Sequence, residues 1–345
     1  MQFKTLGRSD LAVTDICLGT MTWGSQNDEA EGHAQIAMAR DVGINFMDTA
    51  EMYAVPASSG TSGRTETIIG NWFAAHGDRD KWVLATKMAG GGNAHIRNGA
   101  VPDRHSVREA LEGSLKRLQT DHVDLYQIHW PSRGHYNFDN YWTFAPHRQD
   151  TAKALDNIAE VLDALGDLVR EGKIGHIGLS NETSWGLAQW LRLAEQSELP
   201  RIVSVQNEYS LLRRIFDHDL AELSHHEQVG LLAYSPLAAG LLTGKYFDNA
   251  TPRGSRRDYQ NGFWRLNAHS DRATRDYHAL AARHGLDPVQ MAIAFCRSRP
   301  FIASTIIGAT SAAQLRQVLG AADLKLSAEV LAEIDAIHRA NPRPF

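Results

Sequence analysis

The sequence predicts an α/β fold in which eight strand–helix units close into a (β/α)8 TIM barrel with long loops at its C-terminal face. The first observation is that short apolar runs alternate with amphipathic stretches along almost the whole chain of 345 residues. The second is that eight such units can be counted, because alternating strands and helices imply a parallel sheet and eight fit a closed barrel. The third is that residues 19–24, after the first strand, lack the G-x-G-x-x-G spacing of a doubly wound fold. Residues 1–345 are therefore expected to form a single domain.

The predicted elements follow each other in a regular order. Apolar runs predict strands at residues 16–19, 44–47, 82–86, 123–128, 174–179, 202–205, 230–233 and 304–307. Amphipathic stretches predict helices at residues 27–41, 66–76, 152–170, 184–195, 217–227 and 312–319. A further helix is expected to start at a capping box of Ser106 and Glu109, because an apolar stripe that includes Leu111 follows it. Gly43 and Gly172 mark the ends of the first and fourth helices.

Two long stretches interrupt this alternation. Residues 131–150 carry five aromatic residues with little periodicity, and residues 248–270 are polar, with Pro252, Gly254 and paired arginines. Loops of this length inside a compact domain usually have a function or are disordered. Both are expected at the C-terminal face of the barrel, where they would surround an active site.

The composition is that of a globular protein and excludes several classes of function. Hydrophobic residues make up 43% and charged residues 22%, and the net charge of −5 offers no basic surface for nucleic acid or an anionic membrane. The N-terminus lacks a signal-peptide pattern and no run of 18 apolar residues occurs, so we expect no membrane span and a cytoplasmic location. The two cysteines, Cys17 and Cys296, exclude a disulfide scaffold and a cysteine-rich zinc site, and they suit a reducing compartment.

Side chains that can carry chemistry follow the predicted strands, at the end where barrel active sites form. Asp48 follows the second strand with Tyr53 in the same loop, Lys87 follows the third, and His129 follows the fourth. Each of them alone has a structural interpretation, as a turn residue, a half-buried aromatic, a solvated charge or a core histidine. Together they place an acid, a phenol, an amine and an imidazole at the C-terminal end of the predicted barrel.

This combination indicates carbonyl reduction. Tyrosine has an ordinary pKa of about 10, and a nearby ammonium favours the phenolate and lowers that pKa. A carboxylate paired with the ammonium fixes its position, and an imidazole can donate to a carbonyl oxygen. Such a set protonates an oxyanion as it forms. Because no side chain donates hydride, the hydride has to come from a cofactor.

Eight short motifs occur in order along the chain, at residues 18–24, 48–53, 85–87, 124–130, 177–181, 206–212, 233–246 and 306–310. They read LGTMTWG, DTAEMY, ATK, DLYQIHW, IGLSN, QNEYSLL, AYSPLAAGLLTGKY and IIGAT. In this order and spacing they resemble the aldo-keto reductase superfamily, and within it a bacterial Tas-type branch near the potassium-channel beta subunits. The resemblance covers essentially the whole chain and implies an NADP-dependent reductase that takes a small-molecule aldehyde or ketone.

The resemblance also implies roles for particular residues. Tyr53 would be the general acid, Lys87 would tune it, Asp48 would pair with Lys87, and His129 would orient the carbonyl group. It further implies that the NADP cofactor contacts Thr20, Met21, Asp48, Ser180, Asn181, Gln206, Tyr234, Ser235, Pro236, Leu237, Gly240, Lys245, Arg256, Gly308, Thr310, Gln314 and Gln317. Within this set Ser180, Asn181 and Gln206 would meet the carboxamide and Tyr234 would stack on the nicotinamide ring.

Several alternatives stay open at this point. The arginines at 256 and 257 are adjacent and could exchange roles at the ribose phosphate. A cofactor-binding subunit that senses redox state with little turnover is an alternative function, and a metal-dependent barrel hydrolase is a weaker one, since no metal ligands are expected. The aromatic residues of 131–150 could shape a pocket for a flat or apolar carbonyl compound, or only pack the loop onto the barrel. The pattern names neither the substrate nor the oligomeric state.

Overall fold

The computed structural model describes residues 1–259 and 263–345, and it contains a closed barrel of eight parallel strands. The barrel strands are β3 (Ile16–Gly19), β4 (Phe46–Asp48), β5 (Val83–Met88), β6 (Val123–Ile128), β7 (Ile174–Ser180), β8 (Ile202–Glu208), β9 (Gly230–Tyr234) and β10 (Ile302–Ile307). Each strand pairs with the next along the chain, and β10 pairs with β3 to close the ring. The predicted TIM barrel is thereby confirmed, and each of the eight predicted strands overlaps an observed one.

A short hairpin that the sequence did not predict precedes the barrel. Its strands β1 (Phe3–Thr5) and β2 (Ala12–Thr14) pair antiparallel, with Phe3 opposite Thr14. Leu6 and Val13 of this segment are completely buried in the inner core of the barrel. Because β3 starts two residues after β2, the hairpin covers the amino-terminal end of the barrel and leaves the carboxyl ends of the strands as the open face.

Helices surround the barrel and bury an apolar layer against the outer faces of its strands. They are α1 (Glu29–Asp41), α2 (Arg64–His76), α3 (Arg104–Leu118), α4 (Thr151–Arg170), α5 (Ser184–Gln196), α6 (Asp219–Glu227), α7 (Arg256–Tyr259), α8 (Ala268–Arg283), α9 (Pro288–Ser298), α10 (Ala312–Leu319) and α11 (Ala328–Ala340). No helix in the described part of the chain combines the length and apolar character needed to cross a bilayer.

The start of α3 differs from the predicted one. The helix begins at Arg104, and Asp103 is its N-cap, with a side chain that accepts from the backbone N–H of Ser106. The Ser106 hydroxyl accepts in turn from the Asp103 backbone N–H at 2.9 Å. The expected capping box at Ser106 and Glu109 was therefore wrong: Ser106 occupies the third helical position, because an aspartate three residues earlier caps equally well.

The two long stretches contain more helix than the sequence predicted. Residues 131–150 include two short helical turns, Asn140–Trp142 and Pro146–Arg148. The stretch 248–270 includes α7 and the first turn of α8, while residues 260–262 lie outside the described part. Helices α8, α9 and α11 were also not predicted. In α9 the buried residues fall on most sides of the helix, so its sequence shows no single apolar stripe.

Candidate active site

The open end of the barrel leads into a cavity of about 1810 Å³. Every residue assigned above to cofactor binding lines it, and so do Tyr53 and His129. Lys87 is completely buried behind Asp48 and Tyr53. A pocket for one small molecule has roughly 300–1,000 Å³. This cavity therefore has room for a large cofactor together with a second molecule.

The core of the site is a buried chain of three polar groups. Asp48 is the last residue of β4, and Lys87 lies near the end of the neighbouring strand β5. The Lys87 ammonium donates to the Asp48 carboxylate at 2.6 Å and to the Thr49 carbonyl oxygen at 2.8 Å. Its nitrogen also lies 3.4 Å from the Tyr53 hydroxyl. The ammonium thus joins the carboxylate to the phenol.

The Asp48 carboxylate is held from several sides of the barrel. Its second oxygen accepts from the Gln206 amide at 2.8 Å and from the Gln127 amide at 3.1 Å. The Thr20 hydroxyl donates to the Asp48 backbone carbonyl at 2.9 Å. Asp48 is therefore fixed by partners from β5, β6 and β8, and Lys87 is fixed through it.

The environment of Tyr53 acts on its acidity in two directions. Burial raises the pKa of Tyr53 above its ordinary value, and the Lys87 ammonium acts against that rise. The net direction is upward, which differs from the lowering expected from the ammonium alone. The pKa of Lys87 is also raised, because Asp48 and Tyr53 outweigh its burial. Tyr53 is therefore a protonated phenol beside a charged ammonium at neutral pH.

His129 follows β6 directly and faces the Tyr53 ring edge-on, with 5.7 Å between the ring centroids. Burial, with a smaller contribution from Lys87, lowers the pKa of His129 well below its ordinary value. The imidazole is therefore neutral at physiological pH. Its Nδ1 atom is buried and has no hydrogen-bond partner among the described residues. Buried polar atoms are nearly always paired, so the unpaired Nδ1 is an exception, while other atoms of His129 line the cavity.

A connected set of polar side chains lies next to these groups, at the ends of β7, β8 and β9. The Asn181 amide donates to the His129 backbone carbonyl at 2.8 Å and to the Ser180 hydroxyl at 3.0 Å. The Tyr234 hydroxyl donates to the Asn181 side-chain oxygen at 2.7 Å. The Ser180 hydroxyl donates to the Gln206 backbone carbonyl at 2.9 Å. These bonds hold the Tyr234 ring at the cavity wall.

The segment after β9 brings two cations to the cavity. Gly240 has φ of +95°, and a Cβ there would lie only 2.8 Å from Lys245 Nζ. A glycine at 240 thus makes room for the ammonium beside the backbone. Lys245 and Arg256 both line the cavity, and neither has an ion-pair partner in the described ranges. Arg257 instead donates to the Ala250 carbonyl at 3.0 Å outside the cavity.

The other end of the cavity lies against the last barrel unit. Gly308 and Thr310 follow β10, and Gln314 and Gln317 lie on α10. The Thr310 backbone N–H donates to the Gln314 side-chain oxygen at 3.0 Å, and the Gln317 amide donates to Asp287 at 2.9 Å. Phe138 and Phe144 of the aromatic stretch also line the cavity, in line with one of the two interpretations left open for residues 131–150. Sequence reasoning missed other lining residues, namely Trp130, Arg133, His135, Arg148, Trp264 and Arg265. For Arg133, His135 and Arg148 the available signal was their position in the same stretch 131–150.

Comparisons with known proteins find a family and relatives that match nearly the whole chain. The model of the aldo/keto reductase family matches residues 15–339. Over its full length the chain is 47% identical to "Protein tas" of Escherichia coli (strain K12), of which it covers 99%. It is 33% identical to "Uncharacterized oxidoreductase YrpG" of Bacillus subtilis (strain 168), with 98% of the chain and 96% of that protein aligned. It is also 31% identical to "Probable voltage-gated potassium channel subunit beta" of Oryza sativa subsp. japonica, with 99% and 98% aligned.

Proposed function

The chain belongs to the aldo/keto reductase family and is an oxidoreductase of that family, and on this premise we propose that it reduces aldehydes or ketones with NADPH, with Tyr53 as the general acid. The observation that carries the proposal is the buried contact of the Lys87 ammonium with both the Asp48 carboxylate and the Tyr53 hydroxyl.

We propose that residues 1–345 act as one domain. The two cysteines, both buried free thiols, support the expected cytoplasmic location.

The residues of the cavity fit a nicotinamide dinucleotide phosphate. Lys245 and Arg256 are cations that lack ion-pair partners in the described part of the chain, as a site for phosphate groups requires. Thr310 lies just before the N-terminus of α10, where backbone N–H groups favour anions. Tyr234 offers a ring at the wall, and Ser180, Asn181 and Gln206 offer amide and hydroxyl groups beside it. When bound, the reduced nicotinamide would supply the hydride.

The side chains of the site have separate tasks in this proposal. Tyr53 donates its hydroxyl proton to the carbonyl oxygen as negative charge develops there. Lys87 stabilises the phenolate that remains, and Asp48 keeps Lys87 in place. His129 is neutral and can donate an N–H to the same oxygen, which orients the carbonyl group.

NADPH consumption with a panel of aldehydes and ketones tests the proposal. We expect turnover with at least one compound and tighter binding of NADPH than of NADH. The alternative function, a redox-sensing regulatory subunit, draws support from the similarity to a probable potassium-channel beta subunit. It would be favoured if the protein bound NADPH tightly and consumed none with any compound.

A further inference from the structure

Four of the charged residues that line the cavity form two pairs on different sides of the barrel. In the described ranges the lining includes one carboxylate, Asp48, and five cations, Arg133, Arg148, Lys245, Arg256 and Arg265. Lys245 and Arg256 follow β9, on the side of the proposed phosphate site. Arg133 and Arg148 follow β6, which lies three strands away in the ring of eight. A cofactor that extends from β7–β9 towards α10 runs away from this second group.

Three of the five cations lie outside the proposed phosphate site. Two of these three have acidic partners in the described residues, and one has none. Arg133 forms an ion pair with the buried carboxylate of Glu182, and Arg265 donates to Glu208 at 2.9 Å. Arg148 has neither an ion pair nor a side-chain hydrogen bond within the described residues. Its exposed guanidinium therefore leaves an uncompensated positive charge at the cavity, in the loop that follows β6 and His129.

His135 adds a hydrogen-bond donor on the same side. Its side chain is only 9% exposed, and its Nδ1 accepts from the Asn137 backbone N–H at 3.2 Å. Burial, with a contribution from Arg133, lowers the pKa of His135 to about 4, so the ring is neutral and its proton is on Nε2. Nε2 has no protein partner in the part that the structure describes. Asn137 donates to the Asn181 carbonyl at 2.8 Å, which anchors this turn to the site.

Two flat aromatic side chains, Trp130 and Phe138, line the cavity beside His135. The indole of Trp130 lies against Gly91, to whose carbonyl it donates at 2.9 Å. Phe138 contacts Trp130 and His135 edge-on, at centroid distances of 6.4 Å and 5.7 Å. Such a surface can pack against a planar apolar group.

We propose that the substrate of this site is a flat carbonyl compound that also carries an acidic group, a carboxylate or a phosphate, and that Arg148 and the Nε2–H of His135 bind that group. The proposal rests on the proposed reductase function. The carbonyl oxygen would meet Tyr53 and His129, while the acidic group fixes the other end of the molecule. Binding at both ends aligns the carbonyl carbon for reaction.

The test compares matched substrates with the NADPH-loaded protein. The probes are 4-formylbenzoate, 4-formylphenyl phosphate and the neutral 4-formylbenzamide. We expect kcat/KM to be higher for at least one acid than for the amide. In Arg148→Met this acid-to-amide ratio should fall by about three- to tenfold, mostly through KM, since an exposed charge is partly screened. Arg148→Lys should retain part of the preference, and the acid that is preferred identifies carboxylate or phosphate.

His135 is tested in the same way, with variants that separate donor loss from packing. His135→Phe should lower the acid-to-amide ratio, and His135→Gln, which keeps a donor, should restore part of it. Arg339→Met on the exposed side of α11 is the matched control and should leave the ratio unchanged. An unchanged ratio in both Arg148→Met and His135→Phe would overturn the proposal while the reductase function stands.

A binding measurement with unreactive analogues tests the preference for an acidic group even if turnover is low. Terephthalate and terephthalamide are unreactive analogues whose binding can be followed by the fluorescence of Trp130 and Trp264, which line the cavity. We expect tighter binding of terephthalate in the wild type and loss of that preference in Arg148→Met. Absence of any preference in the wild type would contradict the proposal. Retained preference with no turnover of any aldehyde would contradict the reductase function instead.

Discussion

The Lys87 ammonium is completely buried 2.6 Å from the Asp48 carboxylate, with both residues at the ends of neighbouring strands. Taking a charged ammonium out of water is unfavourable unless a partner and further hydrogen bonds compensate it. The carboxylate, the Thr49 carbonyl and the Tyr53 hydroxyl supply that compensation. Lys87 therefore holds its ammonium in a fixed position beside the phenol of Tyr53, and several expected outcomes follow from this arrangement.

Tyr53→Phe should abolish most turnover without affecting the cofactor. The substitution removes the hydroxyl and keeps the ring beside Lys87 and His129, so the cavity retains its shape. Positioned proton transfer contributes typically 10²–10⁴-fold to rate, and we expect a loss of about that size in kcat. Steady-state kinetics and an NADPH titration check both parts, and near-normal turnover would remove Tyr53 from the mechanism.

His129→Ala should weaken catalysis and substrate selection more than cofactor binding. The imidazole faces Tyr53, whereas only the backbone carbonyl of His129 bonds to Asn181. Because that backbone bond does not depend on the side chain, Asn181 should stay in place. We expect kcat/KM to fall by about 10²-fold or more with NADPH affinity almost unchanged. A folded variant that no longer binds NADPH would instead place the imidazole in the cofactor site.

Arg256→Ala should erode the preference for NADPH over NADH. Its guanidinium lines the cavity, whereas Arg257 donates to the Ala250 carbonyl outside it, so Arg257→Ala is the matched control. A hydrogen bond to a charged group contributes about 1.5–3 kcal/mol, which corresponds to roughly a ten- to hundredfold loss of NADPH affinity. NADH affinity should change little. Titration of NADPH and NADH into the wild type and both variants measures these affinities. An equal loss of affinity for NADPH and NADH would assign Arg256 to a phosphate that both cofactors share, or to packing.

The aromatic residues of 131–150 should separate into two classes. Phe144 lines the cavity, whereas Trp142 is 81% exposed and lies outside it. Phe144→Ala should therefore alter the relative kcat/KM for bulky and small aldehydes, and Trp142→Ala should leave these ratios unchanged. A uniform loss for all aldehydes in Phe144→Ala, with a lower melting temperature, would mean that the ring only packs the loop.

His135 should make stability depend on pH. In the unfolded chain the imidazole has a pKa near 6.5, and in the folded protein it is about 4. Between these values the unfolded state binds a proton that the folded state does not, so the free energy of unfolding falls as pH drops. From about pH 7 to about pH 4.5 the wild type should lose about 2 kcal/mol more than His135→Gln. Urea unfolding of both proteins at the two pH values measures this, and parallel losses would show that His135 does not titrate in this way.

The parts of the fold that sequence reasoning reached are those with strong local patterns. All eight barrel strands are apolar runs, and polar residues at their ends identified the face where the cavity lies. The hairpin β1–β2 was not predicted because neither Phe3–Thr5 nor Ala12–Thr14 contains an apolar run of more than two residues. Arg148 and His135 were not predicted as site residues, for a different reason. Their position at the cavity depends on the path of a loop, and neither spacing nor composition determines that path.

The three side chains that bond to the Asp48 carboxylate link distant strands of the barrel, which matters for any redesign of this protein. Asp48 on β4 accepts from side chains of β5, β6 and β8, and β8 lies on the opposite side of the ring. The carboxylate that we propose to hold Lys87 in place therefore also links four strands across the interior of the barrel. Changes of specificity are therefore best introduced in the loops after β6 and β9, because replacing Asp48 should weaken the barrel and, under the proposed mechanism, also remove activity.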